Sequence, residues 1–541
     1  MKQIIAKLLE KETKLGKEEI LKLIEIPPNP EMGDFAFPCF KLAGILKKNP
    51  VEIALELQKK IKPSKEIEKI KATSSYLNFF IDKKILALQV LKIKDGYGKE
   101  KGKGKILLEH TSVNPNASPH VGRARNSIIG DSIKRIFEFS GHKVETHYYI
   151  NDVSKQIAML ALNFKEKDSF QDLLKKYVEI SKKVKDNPKL EENVFKLLNK
   201  FEKKDEKTCK LFKKIVETAV VGQRKIFSLM GINFDYFDYE SKYLEASKNI
   251  LRELEKTGKL FKDEEGRMVL NQSGMGLDKM MKCPVLVLTR NDGTGLYPLR
   301  DLAYTIDKCR YGKNIIVLGE DQKLYFEQLK QALILLKKPY PEVVHYSFVL
   351  LKDAGKMSTR SGEVVLLEEF IKEAVKKASK LIKEKKTRGD ARKVAIGAIK
   401  YAMLRNENNK NITFDWEQSL SFEGDSGPYL QYSYARASSI LKKAKNKRGK
   451  IIIPDLHEKE IKLIKKILNF KKALEDAYRQ LSPHLIANYS FELAQIFNEF
   501  YHACPVLKSK QEAFRLKLVE AFRIVLKQSL FLLGIEVMEE M

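Results

Sequence analysis

The stretch KILLEHTSVNPNASPHVGRARN, Lys105 to Asn126, decides how the rest of the chain reads. KILLEHTS is an apolar run suited to a strand. Ser118 is a good N-cap, and Pro119 suits a first helical position. Beyond them Ile129, Ile133, Ile136 and Phe137 recur at helical spacing, so a helix with a buried face is expected from Ser118–Pro119 onward. A strand ending near Ser112 thereby delivers a loop to a helix N-terminus at the carboxyl edge of a sheet. Doubly wound folds bind nucleotides there, because the helix start presents N–H groups and partial positive charge to phosphate. Gly122 has no side chain and leaves room for a flat base. His120 and Arg123, three apart, share a face. A histidine donor beside a fixed cation meets the charge that grows on the oxygens of a phosphoryl transition state. A lone histidine in that position can equally cap the helix or pack in the core.

On either side of this stretch the pattern is consistent. KVETHYYI, PVLVLTR, NIIVLGE and VVHYSFVLL are further strand candidates, and strands alternating with helical patterns predict an α/β, doubly wound, Rossmann-like parallel sheet over residues 105–368. A Lys/Glu-rich segment of about 165–215 reads as amphipathic helices packed on that sheet domain. Residues 1–94 form an α+β unit: a helix, the irregular Pro-rich IPPNPEMGDFAFPCF, more helix, and the strand-like SSYLNFFI. The Gly/Lys linker DGYGKEKGKGK follows it. Residues 369–440 are helical, and the basic linker KKAKNKRGK separates them from an all-α unit, 451–541.

Of the 541 residues, 101 are Lys or Arg and 71 Asp or Glu, a formal charge of +30 that favours a polyanionic partner. No uninterrupted apolar run approaches the ~20 residues a membrane helix needs. The N-terminal helix carries acids as well as lysines, which argues against a leader peptide. Five scattered cysteines without a CxxC pair suggest neither a zinc site nor disulfides, and a cytoplasmic setting is expected.

A second motif, GKMSTRSG, Gly355 to Gly362, puts Lys356, Met357, Ser358, Thr359 and Arg360 between two glycines. Such a loop is suited to close over a triphosphate and release with pyrophosphate. The two loops, in this order and about 235 residues apart, resemble the HIGH and KMSKS signatures of class I aminoacyl-tRNA synthetases. EHTSVNPNASPHVGRARNSIIGDSIKRIFEFSGHKVETHYYIND, GTGLYPLRDLAY, GEDQ and DSGPYLQYSYARASSIL resemble the arginyl-tRNA synthetase family, over essentially the whole chain.

That resemblance implies an arginine–tRNA ligase using ATP, with Mg²⁺ on the nucleotide, and tRNA(Arg) and L-arginine as partners. Pro119, Gly122, Gly319, Met357 and Thr359 would line the ATP site; His120, Arg123, Lys356, Ser358 and Arg360 would serve the phosphoryl chemistry. A guanidinium calls for carboxylates placed to accept its fixed fork of donors. The resemblance gives that role to Glu109, Tyr297 and Asp301, and gives the α-amino and carboxylate groups to Ser112, Asn114, His120 and Gln322. Residues 1–94 would bind the tRNA elbow through Asn78 and Phe79, residues 369–440 the stem, and residues 451–541 the anticodon through Asn498, Tyr501 and Met541. At least one of Phe497 and Phe500 is expected in the core. Nothing in the sequence demands an oligomer, and a monomer is expected.

Two departures stand out. Arg123 occupies the place of the family's second histidine. Thr359 and Ala117 stand where the family keeps a phosphate-gripping lysine. Either Arg123, with Lys356 or Arg360, restores the missing charge, or the chain is a tRNA-binding relative that has lost catalysis. Another nucleotidyl-transferring enzyme would leave the flanking units unexplained.

Overall fold

The computed structural model describes residues 1–27, 29–352, 365–444 and 451–541. Its chain forms two compact units. One comprises Met1–Asp95, Ile440–Asn469 and Gln495–Ile524; the other comprises Gly96–Ser439, Phe470–Ala494 and Val525–Met541.

In the first unit, β1 (Phe35–Pro38), β2 (Ile67–Thr73) and β3 (Tyr76–Ile81) make an antiparallel sheet in the order β1-β3-β2. β1 lies inside the Pro-rich stretch read as irregular. Phe35 and Phe37 alternate with Ala36, and edge placement tolerates Pro38. The Pro50–Lys60 helix starts with Asn49 accepting from Val51 N at 2.9 Å. The Glu458–Leu468 helix begins with a capping box, in which Glu460 accepts from His457 N at 2.8 Å. Lys465 pairs with Asp34 at 2.8 Å, and Arg515 with the fully buried Glu460 at 2.8 Å.

The second unit is built on β4 (Lys105–Glu109), β5 (Lys143–Ile150) and β6 (Tyr236–Tyr239), then a small antiparallel sheet of β7 (Leu260–Lys262), β8 (Met268–Asn271) and β9 (Val285–Val287), then β10 (Lys313–Gly319) and β11 (Glu342–Tyr346). The large sheet runs β11-β10-β4-β5-β6, and every pair in it is parallel. The doubly wound parallel sheet expected from the sequence is therefore present. Strand order reverses at β4: the chain goes first to β5 on one side and only later to β10 on the other. The crevice at the carboxyl ends of β4 and β10 is thus the switch point where such sheets bind ligands.

Two strand readings need correcting. PVLVLTR is not a strand of the large sheet: β9 pairs antiparallel with β8, Leu286 opposite Leu270. VVHYSFVLL is not one strand but two, β11 and β12 (Val349–Leu351), and β12 pairs with β13 (Ile412–Phe414), Val349 opposite Ile412. The Lys/Glu-rich region is helical as read, as Phe170–Lys185, Pro188–Glu202 and the start of Glu206–Ser228.

Candidate active site

The loop after β4 is held open by force of its neighbours. Thr111 and Ser112 have φ of 79° and 45°, in the left-handed region that costs non-glycine residues about 1 kcal/mol or more each. Thr111 N donates to Asn126 Oδ1 at 2.7 Å, and Asn126 in turn donates to Val317 O of β10 at 2.9 Å. The Tyr148 hydroxyl of β5 accepts from Val113 N at 3.0 Å and donates to Gln223. Gln223 Nε2 donates to Asn114 O and Ala117 O at 2.9 and 2.8 Å. Asn114 is left exposed, while Ser112 Oγ accepts from Tyr149 N at 3.2 Å.

The next helix is Val121–Phe139, and its N-cap is His120, not Ser118. The chain stays extended through Pro119–His120 because that segment pairs with another. His120 bridges Leu366, Val121 N donates to Val365 O at 3.1 Å, and Leu367 N donates to Pro119 O at 2.9 Å. The two signature regions are therefore stitched together just beyond residue 364, which no sequence pattern signalled. Lys356, Met357, Ser358, Thr359 and Arg360 themselves lie outside the described residues. The His120 imidazole lies against Gly122, where an added Cβ would sit 3.1 Å from Cε1. Glycine here first makes room for that ring. Burial, and then the Arg123 guanidinium, lower the His120 pKa, which favours the neutral imidazole. Arg123 is half-buried and also faces Tyr346, at the end of β11. One residue on, Arg125 is fully buried and donates to Ser347 O, Lys410 O and Glu407 O at 2.7, 2.7 and 3.0 Å. Gly319 ends β10 in a buried position where a Cβ would meet Asp321 Oδ1 at 2.2 Å.

Across the crevice, Glu109 closes β4 and is 6% exposed. Tyr297 opens the Tyr297–Lys308 helix, and Asp301 lies one turn on. Asp301 accepts from the Tyr325 hydroxyl at 2.5 Å, and the Tyr297 and Tyr325 rings are 5.1 Å apart. Tyr297 and Asp301 thus both meet Tyr325, the Glu109 charge acts on Asp301, and Gln322 lies three residues before Tyr325. Burial foremost, and Glu109 among the charges, raise Asp301 to about 6. Burial first and Asp301 second hold the buried Tyr149 hydroxyl well above the ordinary phenol range, so it stays a neutral hydroxyl.

The sequence reading missed several residues here. Lys308 is bonded to Glu109, and Tyr304 stacks on Tyr149 with centroids 4.5 Å apart. Tyr304 also donates to Asp238 at 2.9 Å, an acid that His147 Nδ1 meets at 2.7 Å. Asp301, Tyr304 and Lys308 stand at i, i+3 and i+7, a spacing that places them on one helix face and could have found them.

The RNA-facing expectations fare unevenly. Asn78 and Phe79 are 4% and 0% exposed within β3, where the sheet turns both inward. Phe497 and Phe500 are both core, and Phe497 stacks flat on Phe522 at 3.7 Å. Tyr501 is 38% exposed and Asn498 half-buried on the same helix. Met541 is half-buried, its Cγ 3.7 Å from where a Cβ on Gly389 would lie.

A parallel sheet with a histidine-bearing loop leading to a helix start, stitched to the chain just beyond the lysine-bearing motif, is the arrangement of a class I aminoacyl-tRNA synthetase. The family pattern described as tRNA synthetases class I (R), catalytic domain, matches residues 86–416. The arginyl tRNA synthetase N terminal domain matches 1–81, and the DALR anticodon binding domain matches 430–541. The chain is 38% identical to the arginine–tRNA ligase of Methanocaldococcus jannaschii, with 96% of each chain covered. It is 35% identical to that of Clostridium acetobutylicum, with 100% of each covered. Among solved structures it resembles the Thermus thermophilus arginyl-tRNA synthetase, at a TM-score of 0.81 and 27% identity over 100% of this chain and 99% of that one. The chain belongs to the arginyl-tRNA synthetase family. Nothing among these likenesses supports a member that has lost catalysis.

Proposed function

We propose a division of labour for this arginine–tRNA ligase, which activates arginine with ATP and passes it to tRNA. The arginine guanidinium enters the pocket of Glu109, Tyr297 and Asp301, while Ser112, Asn114 and Gln322 flank its α-amino and carboxylate end. ATP lies over Pro119, Gly122 and Gly319, with Met357 and Thr359 assigned by motif position alone. The arginine carboxylate attacks the α-phosphorus in line; the bond to the bridging oxygen breaks, giving arginyl-adenylate and pyrophosphate. The terminal ribose hydroxyl of tRNA then takes the acyl group and releases AMP. Neither step needs a base of unusual pKa, so positioning and electrostatics carry the rate.

His120 donates to the phosphate as a neutral imidazole, and Arg123 supplies a fixed cation beside it. Lys356, Ser358 and Arg360 join them from the second motif. Among the described residues no cluster of three or more His, Cys, Asp or Glu side chains is arranged to hold a metal. Mg²⁺ in this reading comes with the triphosphate and supplies charge neutralisation there. Residues 1–94 are assigned to the tRNA elbow, 105–368 to catalysis with the insertion at about 165–215, 369–440 to the stem, and 451–541 to the anticodon. Asn498, Tyr501 and Met541 are the candidate RNA contacts, and exposed Tyr501 offers a ring for an unpaired base. No described helix is long and apolar enough to cross a membrane. We assign the chain a cytoplasmic, monomeric state.

What supports this reading is that β4 ends at Glu109 and leads through its loop to His120 and Arg123 at the switch point of the parallel sheet, in a chain matched to the family along its length. Arginine-dependent exchange of pyrophosphate into ATP, with and without tRNA, tests it. Arg123→Ala should lower the exchange rate by roughly 10²-fold, the cost of one transition-state donor, with a smaller change in arginine KM. Exchange unaffected by Arg123→Ala would remove Arg123 from the chemistry. No exchange under any condition, with tRNA still bound, would restore the reading of a lost active site.

A further inference from the structure

Tyr297 and Asp301, both assigned to the arginine side chain, share a neighbour that none of the sequence motifs contains. Tyr325 is the third residue of the Lys323–Leu335 helix, whose N-cap is Gln322. That helix follows the short turn Glu320–Gln322 at the end of β10, so the large sheet fixes where it starts. The Tyr325 hydroxyl donates to Asp301 Oδ2 at 2.5 Å, and its ring centre lies 5.1 Å from that of Tyr297. The ring also packs against the apolar cluster that includes Leu299, Leu302 and Leu329. One side chain thus meets two assigned pocket residues that stand a turn apart on another helix.

The groups facing Asp301 can be named element by element: Tyr325 from its helix, Tyr149 from β5, Glu109 from β4, Glu240 from the turn after β6, and Tyr297 and Arg300 on its own helix. The Tyr149 hydroxyl is buried, and no hydrogen bond of good geometry joins it to Asp301. Arg300 is bonded to Glu240 at 2.5 Å and to Gly295 O at 2.6 Å. Tyr325 is thus the donor that holds the carboxylate. Burial foremost raises the Asp301 pKa, the Tyr325 bond is the first of the influences that lower it, and the balance stands at about 6. Burial first and the Asp301 charge second keep the Tyr325 phenol well above its ordinary range, so it stays a donor through neutral pH. A buried carboxylate that loses such a donor takes up a proton more readily.

We propose that Tyr325 is a positioning residue of the arginine pocket: by holding Asp301 Oδ2 it fixes the carboxylate in one orientation and leaves Oδ1 to receive the guanidinium of the substrate. The proposal rests on the assignment of Tyr297 and Asp301 to that pocket. Without the hydroxyl the carboxylate is free to turn, which weakens arginine binding and leaves the phosphate end of the site alone. Arginine binding also needs Asp301 ionised, so in the wild type the arginine KM rises as pH falls below about 6. Losing a bond that favours the charged form moves this limb to higher pH. Glu240, which burial first of all raises to about 8, titrates above the limb.

The test is the arginine KM in pyrophosphate exchange, measured on the full chain with its tRNA across the acid limb and through neutrality. Y325F removes only the hydroxyl and keeps the ring with its packing. It should raise arginine KM several-fold near neutrality and move the limb upward by about one pH unit or more. It should change kcat and the ATP KM by less than about twofold, as expected for a group that acts on arginine binding. Y149F, whose hydroxyl makes no such bond, should move the limb less. In D301N there is no carboxylate left to hold, so D301N/Y325F should match D301N. A folded Y325F with the wild-type arginine KM and limb overturns the proposal, because a merely structural tyrosine would change melting and leave the titration alone. A loss confined to kcat or the ATP KM, a limb moved further by Y149F, or an equal effect of Y325F in D301N overturns it too. D301N alone keeps the two assignments apart. If it leaves arginine KM unchanged, the pocket assignment itself has failed; if it raises KM while Y325F does nothing, only the role of Tyr325 has.

Discussion

At the scale of single residues, His110 shows how much of this site is held by burial. It follows β4 directly, is 1% exposed, and contacts Thr111 Oγ1 at 2.8 Å and the Phe234 ring at 5.0 Å. Its Nε2 has no hydrogen-bond partner among the described residues. Burial pushes its pKa down to about 4, against the upward pull of Asp131 and Asp235. In the unfolded chain an imidazole takes its proton near 6.5. Between those two values the unfolded state binds more protons, so stability falls as pH drops from about 6.5 to about 4. The full effect is about 3 kcal/mol. Replacing His110 with Gln should flatten that part of the curve of unfolding free energy against pH, read from urea midpoints. An unchanged slope would show that another group carries it. Nothing in EHTS marks His110 as buried where His120, ten residues later, is only partly so. Only the packing of Gly130, where a Cβ would meet the His110 ring at 2.3 Å, decides which ring lies inside.

At the scale of elements, the Val121–Phe139 helix was legible in its apolar face and not in its polar one. Ile129, Ile133, Ile136 and Phe137 are all buried, as their spacing required. Arg125, Asn126, Ser127, Asp131 and Ser132 are buried too, although by composition they read as a solvated face. Each has a partner distant in sequence: Ser132 has Leu532 O at 2.8 Å, and Asp131 has Lys400 at 3.3 Å besides its neighbour Arg135. Periodicity reports which residues share a face and says nothing about what covers that face. The N-cap at His120 escaped for a related reason. Ser118 is the better cap by propensity, but pairing with Val365–Leu367 keeps the chain extended two residues longer. Arg125 allows the sharpest test of this polar wrapping. Its three backbone carbonyl partners include no carboxylate, and burial lowers its pKa to about 10. Arg125→Met leaves those carbonyls without donors and should destabilise the protein by about 3 kcal/mol or more. Arg125→Lys should recover only part of this, since one ammonium cannot span the positions a guanidinium fork reaches. Denaturant midpoints of the two variants check it, and equal stability of Met and wild type would refute it.

For the whole molecule, alternation of strand and helix was enough to give the parallel sheet, and to put the loop leading to His120 at the carboxyl edge of β4. Runs such as PVLVLTR misled because a short apolar strand looks the same in a large parallel sheet and in a small antiparallel one; pairing is set by partners that local pattern does not reveal. Membership of the compact units is equally non-local: Phe470–Ala494 and Val525–Met541 cluster with the unit that carries the site, while Gln495–Ile524 clusters with the N-terminal residues. Charge, by contrast, is a sum and is read without any fold. Many lysines sit in exposed i,i+4 pairs such as Lys196–Glu192 and Lys210–Glu206. Each such pair is worth little and consumes one charge of each sign, so the formal excess of +30 survives the pairing. If that excess lies where tRNA binds, each phosphate contact releases counter-ions, and the logarithm of affinity falls linearly with the logarithm of salt concentration. Titrating tRNA onto the protein between roughly 50 and 200 mM salt should show affinity falling by about tenfold or more, with a slope that counts the phosphates engaged. Arginine KM over the same range should change far less, because its partner charges are buried and screened little by ions. A flat tRNA titration would mean that the positive charge is spread over faces RNA never touches. Equal salt sensitivity of both ligands would mean instead that salt acts on the fold, which melting curves at the two salt concentrations would show directly.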